Sequence, residues 1–225
     1  MTDLEALSAL VASHGIELEP AQAALLDRYR AALWEWNTQI NLTRHTTLEK
    51  FVGRDVVDSW ELAKLIPKGR LVLDIGAGGG VPGLVIAICR PDLRVVVCDS
   101  TQKKARVLEA IVKELHLSVE VFACRAEELL ALRTFDVIVA RAVAPLAKLL
   151  YWLAPHWGAF DELLAIKGRS WVEERAEARH RGLLKGMQLR KAAVYEMPGV
   201  GPDGAVGESV VLRVRRGADG VEDLE

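Results

Sequence analysis

From residue 71 onward the chain repeats one unit, a strand-length apolar run followed by a helix-length segment, and nothing else in it constrains the fold as tightly. The runs are Leu71–Ile75, Arg94–Cys98, Ser118–Ala123, Phe135–Ala140 and Leu163–Lys167, with helical stretches at about 82–90, 101–116, 144–154 and 170–184. Runs that are apolar at nearly every position, rather than at alternate ones, belong to strands covered on both faces. Helical crossovers between them make the strands parallel. Two further strand candidates, about 188–196 and 208–214, have only Pro198–Gly207 between them, a connection rich in Gly and Pro. A terminal hairpin therefore closes an α/β sheet.

Ahead of this lies a helical region. Leu4, Leu7, Leu10 and Val11 recur at helical spacing, and after Pro20 so do Ala24, Leu25, Tyr29, Ala32, Leu33 and Trp36. A third helix is expected from about Leu48 to Leu65, stopped by Pro67–Lys68–Gly69. The intervening Trp36–Thr43 is too polar for core and too aromatic for a plain linker. Residues 1–69 are thus expected to be a helical N-terminal extension, 70–216 the sheet domain and 217–225 an acidic tail.

Several classes are disfavoured. No apolar run approaches the ~20 residues that span a bilayer. The N-terminus lacks the basic start and unbroken apolar core of a signal peptide, so a cytoplasmic protein is expected; that it acts as a monomer is a separate expectation. The three cysteines, Cys89, Cys98 and Cys124, are odd in number and widely spaced, as buried thiols would be. The scattered histidines offer no metal-ligand spacing, so no metal site is expected. A net charge of −2 does not advertise a polyanionic partner, although it leaves room for a local basic face.

The first strand runs into Asp74–Ile75–Gly76–Ala77–Gly78–Gly79–Gly80–Val81–Pro82–Gly83. Glycines here let the backbone turn sharply and approach a ligand ahead of a helix N-terminus. Gly78-x-Gly80-x-x-Gly83 matches the dinucleotide fingerprint, a weak signal by itself. Asp74 chooses the cofactor. As the penultimate strand residue it is expected to point at the ligand crevice, where a carboxylate opposes a pyrophosphate but suits the ammonium and sulfonium of S-adenosyl-L-methionine. With the terminal hairpin, this is the layout of a class I S-adenosylmethionine-dependent methyltransferase, a Rossmann-like fold.

The later strand ends agree. Asp99 is placed to accept from ribose hydroxyls, or else to cap the next helix. Glu127, in Arg125–Ala126–Glu127–Glu128, is placed at the adenine edge, or is a solvated charge at a helix start. Arg141 stands in an apolar context nearest the transferred methyl group. It needs an anionic or hydrogen-bonding partner, which could instead be an internal salt bridge. It is expected to face the crevice.

These residues resemble the small-subunit ribosomal RNA guanine-N7 methyltransferase family, RsmG or GidB, over about residues 25–215. The pieces are Trp36–Asn37 with Ile40–Asn41–Leu42–Thr43, Arg54 with Asp58–Ser59, Asp74-x-Gly-x-Gly-x-Gly-x-Pro82–Gly83, Asp99–Ser100 with Lys103–Lys104, Arg125-x-Glu127–Glu128, Ala140–Arg141–Ala142 and Lys167–Gly168. The resemblance implies methylation of N7 of one guanine in the decoding-region loop of 16S rRNA, in the small ribosomal subunit, with loss linked to streptomycin resistance. It places Gly76, Val81, Ala126, Glu127 and Arg141 at the cofactor, beside Asp74, Gly78 and Asp99. Val81 replaces a commonly larger apolar residue of the family, and two further places depart from its pattern: Asp55 stands where a histidine is usual, and Glu208–Ser209 where Arg-His is usual. Both are read as RNA-side positions that have lost basic groups, and no RNA contact is carried to them.

Guanine N7 bears a free lone pair, so no general base is expected, and catalysis is largely positioning. RNA contacts are expected from Asn41, Arg44, Arg54, Lys103, Arg125, Arg141, Lys167 and Arg169. The competing readings are a small-molecule methyltransferase with the N-terminal helices as a lid, a non-catalytic RNA- or protein-binding module, and a dehydrogenase, which Asp74 disfavours.

Overall fold

The computed structural model describes residues 2–197 and 207–217. The expected hairpin connection and acidic tail, apart from their boundary residues Gly207 and Gly217, lie outside them. The repeating region folds as β1 (Leu71–Ile75), α5 (Gly83–Cys89), β2 (Arg94–Cys98), α6 (Gln102–Leu115), β3 (Val119–Phe122), α7 (Ala126–Leu130), β4 (Phe135–Arg141), α8 (Leu146–Leu153), β5 (Phe160–Lys167) and α9 (Trp171–His180). Two long strands follow, β6 (Met187–Met197) and β7 (Gly207–Arg216). The sheet order is β3-β2-β1-β4-β5-β7-β6. β1 to β5 pair in parallel, whereas β7 inserts antiparallel between β5 and β6. Only residues 198–206 separate β6 from β7, fewer than the dozen or so that a crossover between parallel strands needs, so this pair runs antiparallel.

Alternate residues of each central strand enter different cores, as the two-residue strand period requires. Val72, Val95, Val97, Val137 and Val139 face one apolar cluster; Leu73, Ile75, Val96, Cys98 and Ile138 face the other. The second cluster is roofed by α8 through Leu146, Leu149, Leu150 and Leu153. The first is roofed by α5 and α6 and also by the N-terminal helices α1 (Asp3–Ser13) and α2 (Pro20–Asn37). Leu7, Leu26, Tyr29, Leu33 and Phe51 are fully buried there, each large side chain contributing about 1.5–3 kcal/mol by leaving water. Residues on both sides of position 70 thus share one core.

The third N-terminal helix is continuous but not uniform. α3 (Leu48–Lys50) passes through a π-helical segment, Phe51–Val56, into α4 (Val57–Lys64). That wider segment carries Arg54 and Asp55. The preceding polar stretch is shaped by Asn37, whose Oδ1 accepts from the backbone N–H groups of Leu42 and Thr43 at 2.8 and 2.9 Å. Trp34 Nε1 donates to the His45 carbonyl at 2.9 Å, holding the loop against the helix. No helix among the described residues is long and apolar enough to cross a membrane.

Candidate cofactor and substrate site

All the loops singled out by the sequence meet at the carboxyl edge of the parallel strands, the edge where open α/β sheets bind ligands. The glycine turn is tied down from three sides. Asp74 Oδ2 accepts from Gly83 N–H at 2.8 Å, Asp99 Oδ2 accepts from Gly78 N–H at 2.9 Å, and Tyr29 Oη donates to the Gly79 carbonyl at 3.0 Å. Gly76 has φ +64°, and a Cβ there would lie 3.1 Å from Val143 Cγ2, so only glycine lets the turn pass this close to the loop after β4. A Cβ on Gly83 would sit 2.7 Å from Asp74 Oδ2 and 2.6 Å from Val97 Cγ1, which requires glycine there for space.

Two cavities open at this edge. The smaller, about 300 Å³, is lined by Gly76, Cys98, Asp99, Lys104, Cys124, Arg125, Ala126, Glu127, Val143 and Trp152, among others. The larger, about 950 Å³, is lined by His45, Arg54, Asp58, Arg141, Lys167, Arg169, Glu174, Glu208 and Ser209, with the backbone of 142–145. Both include Ala142 and Val143, so they adjoin at the turn after β4. Ala142 has φ +54°, a left-handed conformation that costs a non-glycine residue roughly 1–2 kcal/mol. Backbone strain of this kind sits at the junction of the two cavities.

Behind the larger cavity lies a buried ionic network that unites three parts of the chain. Arg141, at the end of β4, donates through Nη2 to Asp55 Oδ1 and through Nη1 to Asp58 Oδ2 at 3.0 Å and the Arg54 carbonyl at 3.2 Å. Both carboxylates are fully buried. His45 Nδ1 lies 2.7 Å from the same Asp55 Oδ1, and Tyr195 Oη, on β6, donates to Asp58 Oδ1 at 2.7 Å. Burial alone would depress the Arg141 guanidinium, but Asp55 and Asp58 beside it raise its pKa above the ordinary arginine value. Burial pushes Asp58 upward, against the pull of Arg141.

A comparison with known proteins then identifies the family. The family model described as rRNA small subunit methyltransferase G matches residues 22–199. A protein of Rhodopirellula baltica named ribosomal RNA small subunit methyltransferase G is 49% identical over 92% of this chain and 90% of its own length. The chain belongs to the small-subunit rRNA methyltransferase G family. The family member of Chromobacterium violaceum is 39% identical over 84% of this chain and 89% of its own. The fold is shared more widely. The structure of M. capricolum TrmK in complex with S-adenosyl-homocysteine matches with a TM-score of 0.55 at 14% identity, covering 75% of this chain and 71% of that one. The 23S rRNA methyltransferase ErmE matches at 0.53 and 14%, covering 76% and 72%. As a methyltransferase of the G family, the chain takes its methyl group from S-adenosyl-L-methionine.

The smaller cavity fits that cofactor. Asp99 is one of two acidic residues in it, with Glu127, and each Asp99 oxygen accepts one backbone N–H, from Gly78 at 2.9 Å and from Thr101 at 2.7 Å. Each oxygen therefore keeps a lone pair for a ribose hydroxyl. The expected helix cap is not formed: α6 has Thr101 as its N-cap without a side-chain bond, and Asp99 only ties the turn ahead of it. Ala126 and the half-buried Glu127 also line it, with Cys98, Cys124, Val143 and Trp152 adding apolar surface.

Other expectations need correction. Asp74 does not point into the crevice: it is fully buried, with Oδ2 on Gly83 and Oδ1 without a partner. Burial drives its pKa up to about 8, against the Gly83 N–H and Arg141. Gly78 and Val81 are not among the residues lining the smaller cavity; the Gly78 N–H donates to Asp99, and Val81 packs against the core. Arg141 lines the larger cavity rather than the smaller, and its side chain is only 16% exposed because two acids clamp it.

The expected RNA contacts separate in the same way. Arg54, Arg141, Lys167 and Arg169 come together around the larger cavity. The Lys167 ammonium, however, is held by the Ala144 carbonyl and by Glu174 Oε2 at 2.8 Å, so its charge is satisfied internally. Arg125 lines the smaller cavity. Asn41, Arg44 and Lys103 are exposed outside both. Asp55 is not an RNA-side residue at all; it is a buried partner of Arg141 and His45. His45, Glu174 and Tyr195 were not legible as site residues, since each is a lone polar residue whose partners are remote in sequence.

Proposed function

We propose that the chain methylates N7 of a guanine in small-subunit (16S) ribosomal RNA, in the decoding-region loop, acting as a cytoplasmic monomer. The observation that carries this reading is the larger cavity, rimmed by Arg54 and Arg169 and adjoining the cofactor cavity at Ala142–Val143. When bound, S-adenosyl-L-methionine supplies a methyl group activated by a sulfonium. Asp99 and Glu127 orient the nucleoside end of that cofactor, and Gly76 leaves space for it beside Val143. The N7 lone pair needs no proton removed, so the side chains around the larger cavity have only to hold the base in line and exclude water. In A-form RNA the N7 edge lies in a deep, narrow groove, so the target base must be unstacked, as in a loop. A cavity of about 950 Å³ has room for an extruded nucleotide.

The test is methylation of small subunits from a strain lacking this chain, using labelled cofactor and chemical cleavage at N7-methylguanine. Label at a single loop guanine is expected. Label on another atom or base, or on a small metabolite instead of the subunit, overturns the reading.

A further inference from the structure

Among the described residues three carboxylates line the larger cavity, and two are already committed. Asp58 accepts from Tyr195 with one oxygen and from Arg141 with the other. Glu174 Oε2 accepts from the Leu146 N–H at 2.7 Å and pairs with Lys167, while its Oε1 takes the Ser170 hydroxyl at 3.2 Å. Glu208 is different. It lines the cavity at the start of β7, its side chain is exposed, and it has no hydrogen bond or ion pair among the described residues. Its register partner across the hairpin is Glu196, also exposed. Like charges directly opposite on an antiparallel pair are destabilising. Among the described residues this carboxylate is thus uncompensated, in a cavity whose lining also carries Arg54, Arg141 and Arg169 and where a cation would have been favoured for binding phosphates.

We propose that Glu208 reads the target base, accepting hydrogen bonds from guanine N1–H and the 2-amino group. The proposal rests on the guanine-N7 reading and adds its base selector. Those two donors lie side by side on the Watson–Crick edge, a spacing that a carboxylate matches with its two oxygens. Adenine presents a lone pair at N1 and would set it against the negative charge, so the same contact rejects it. The selector also favours the reaction. As N7 gives its lone pair to the methyl carbon and the carbon–sulfur bond breaks toward sulfur, the positive charge passes from sulfur to the purine. N1–H becomes a stronger donor, so the carboxylate holds the transition state more tightly than the ground state. The Watson–Crick edge is opposite the reacting edge, which leaves N7 free to approach the cofactor cavity.

The experiment compares wild type and Glu208→Gln on small subunits reconstituted with guanosine or inosine at the target position. Inosine lacks only the 2-amino group. Single-turnover rates at saturating cofactor are measured, along with S-adenosyl-homocysteine affinity by calorimetry and the melting temperature. Wild type should methylate inosine about ten- to hundredfold more slowly than guanosine, the loss expected for one charge-assisted hydrogen bond. Glu208→Gln should slow guanosine by a similar factor and shrink the guanosine-to-inosine ratio toward one. Its affinity for S-adenosyl-homocysteine should be unchanged, and its melting temperature should not fall, because a like-charge pair is removed. An unchanged rate, an equal loss on both bases, or a loss confined to cofactor affinity overturns the assignment to Glu208 and leaves the guanine-N7 reading standing. Wild type inactive on guanosine subunits overturns both.

Discussion

Asp74 and Asp99 show how one residue type takes different work from its surroundings. Asp74 holds the turn against α5 through Gly83, in full burial and with one oxygen unpartnered. Its proton is bound far more tightly in the folded chain, where the pKa is about 8, than at the unfolded value of 3.8. Protonation therefore favours the folded state, and that contribution, complete below pH 3.8, is lost as pH rises to about 8. Urea unfolding of the cofactor-free protein should show stability falling across this window, and Asp74→Asn should flatten the decline. A variant as pH-sensitive as wild type would show that Asp74 is ionised throughout. Asp99 faces the cavity instead, so Asp99→Ala should weaken S-adenosylmethionine binding by roughly 1–3 kcal/mol in calorimetry. Unchanged affinity would reduce Asp99 to its two backbone contacts.

Among the elements, the helix from Leu48 to Lys64 matters most to the site. Its π-helical segment and first α-turn place Asp55 and Asp58 beside the end of β4, where they clamp Arg141. The N-terminal helices are thus a wall of the larger cavity as well as part of a shared core, which a detachable lid would not be. Arg141→Ala takes the guanidinium away from two buried carboxylates and should cost about 3–5 kcal/mol in chemical denaturation. Adding Asp55→Asn to that variant should recover part of the loss, since one of the stranded charges disappears. No recovery would mean that packing, rather than charge, dominates. At the other end of the site, Gly83→Ala must displace Val97 or Asp74, and should lower thermal stability by about 1–3 kcal/mol together with cofactor affinity.

For the whole molecule, the paired cavities make positioning the main work of the enzyme. At saturating cofactor, the single-turnover rate should be nearly flat from about pH 6.5 to 8.5, because N7 carries no proton for a side chain to remove. A rate rising tenfold per pH unit would point to a hydroxyl substrate that must first ionise. RNA binding should weaken with salt through released counterions, but with a shallow slope. The net charge is −2, Lys167 and Arg141 are neutralised internally, and few cations remain at the rim.

The sequence alone determined the sheet, its parallel strands, the terminal hairpin and the glycine turn with Asp99 beyond it. These follow from local periodicity and from glycine's backbone freedom, both written in contiguous residues. It also carried the family pattern, which the comparisons uphold. The helices before residue 70 were legible, but their sharing of the sheet's core was not. Only the tertiary structure decided which way the polar residues face. Asp74 sits one residue from the strand's end, yet the two-residue alternation of β1 turns it under the glycine turn rather than into the cavity. Asp55 looked like a lost RNA contact because its partners, His45 and Arg141, are 10 and 86 residues away. Whether a charge meets solvent, substrate or another buried charge depends on such long-range neighbours, and one-dimensional spacing does not encode them.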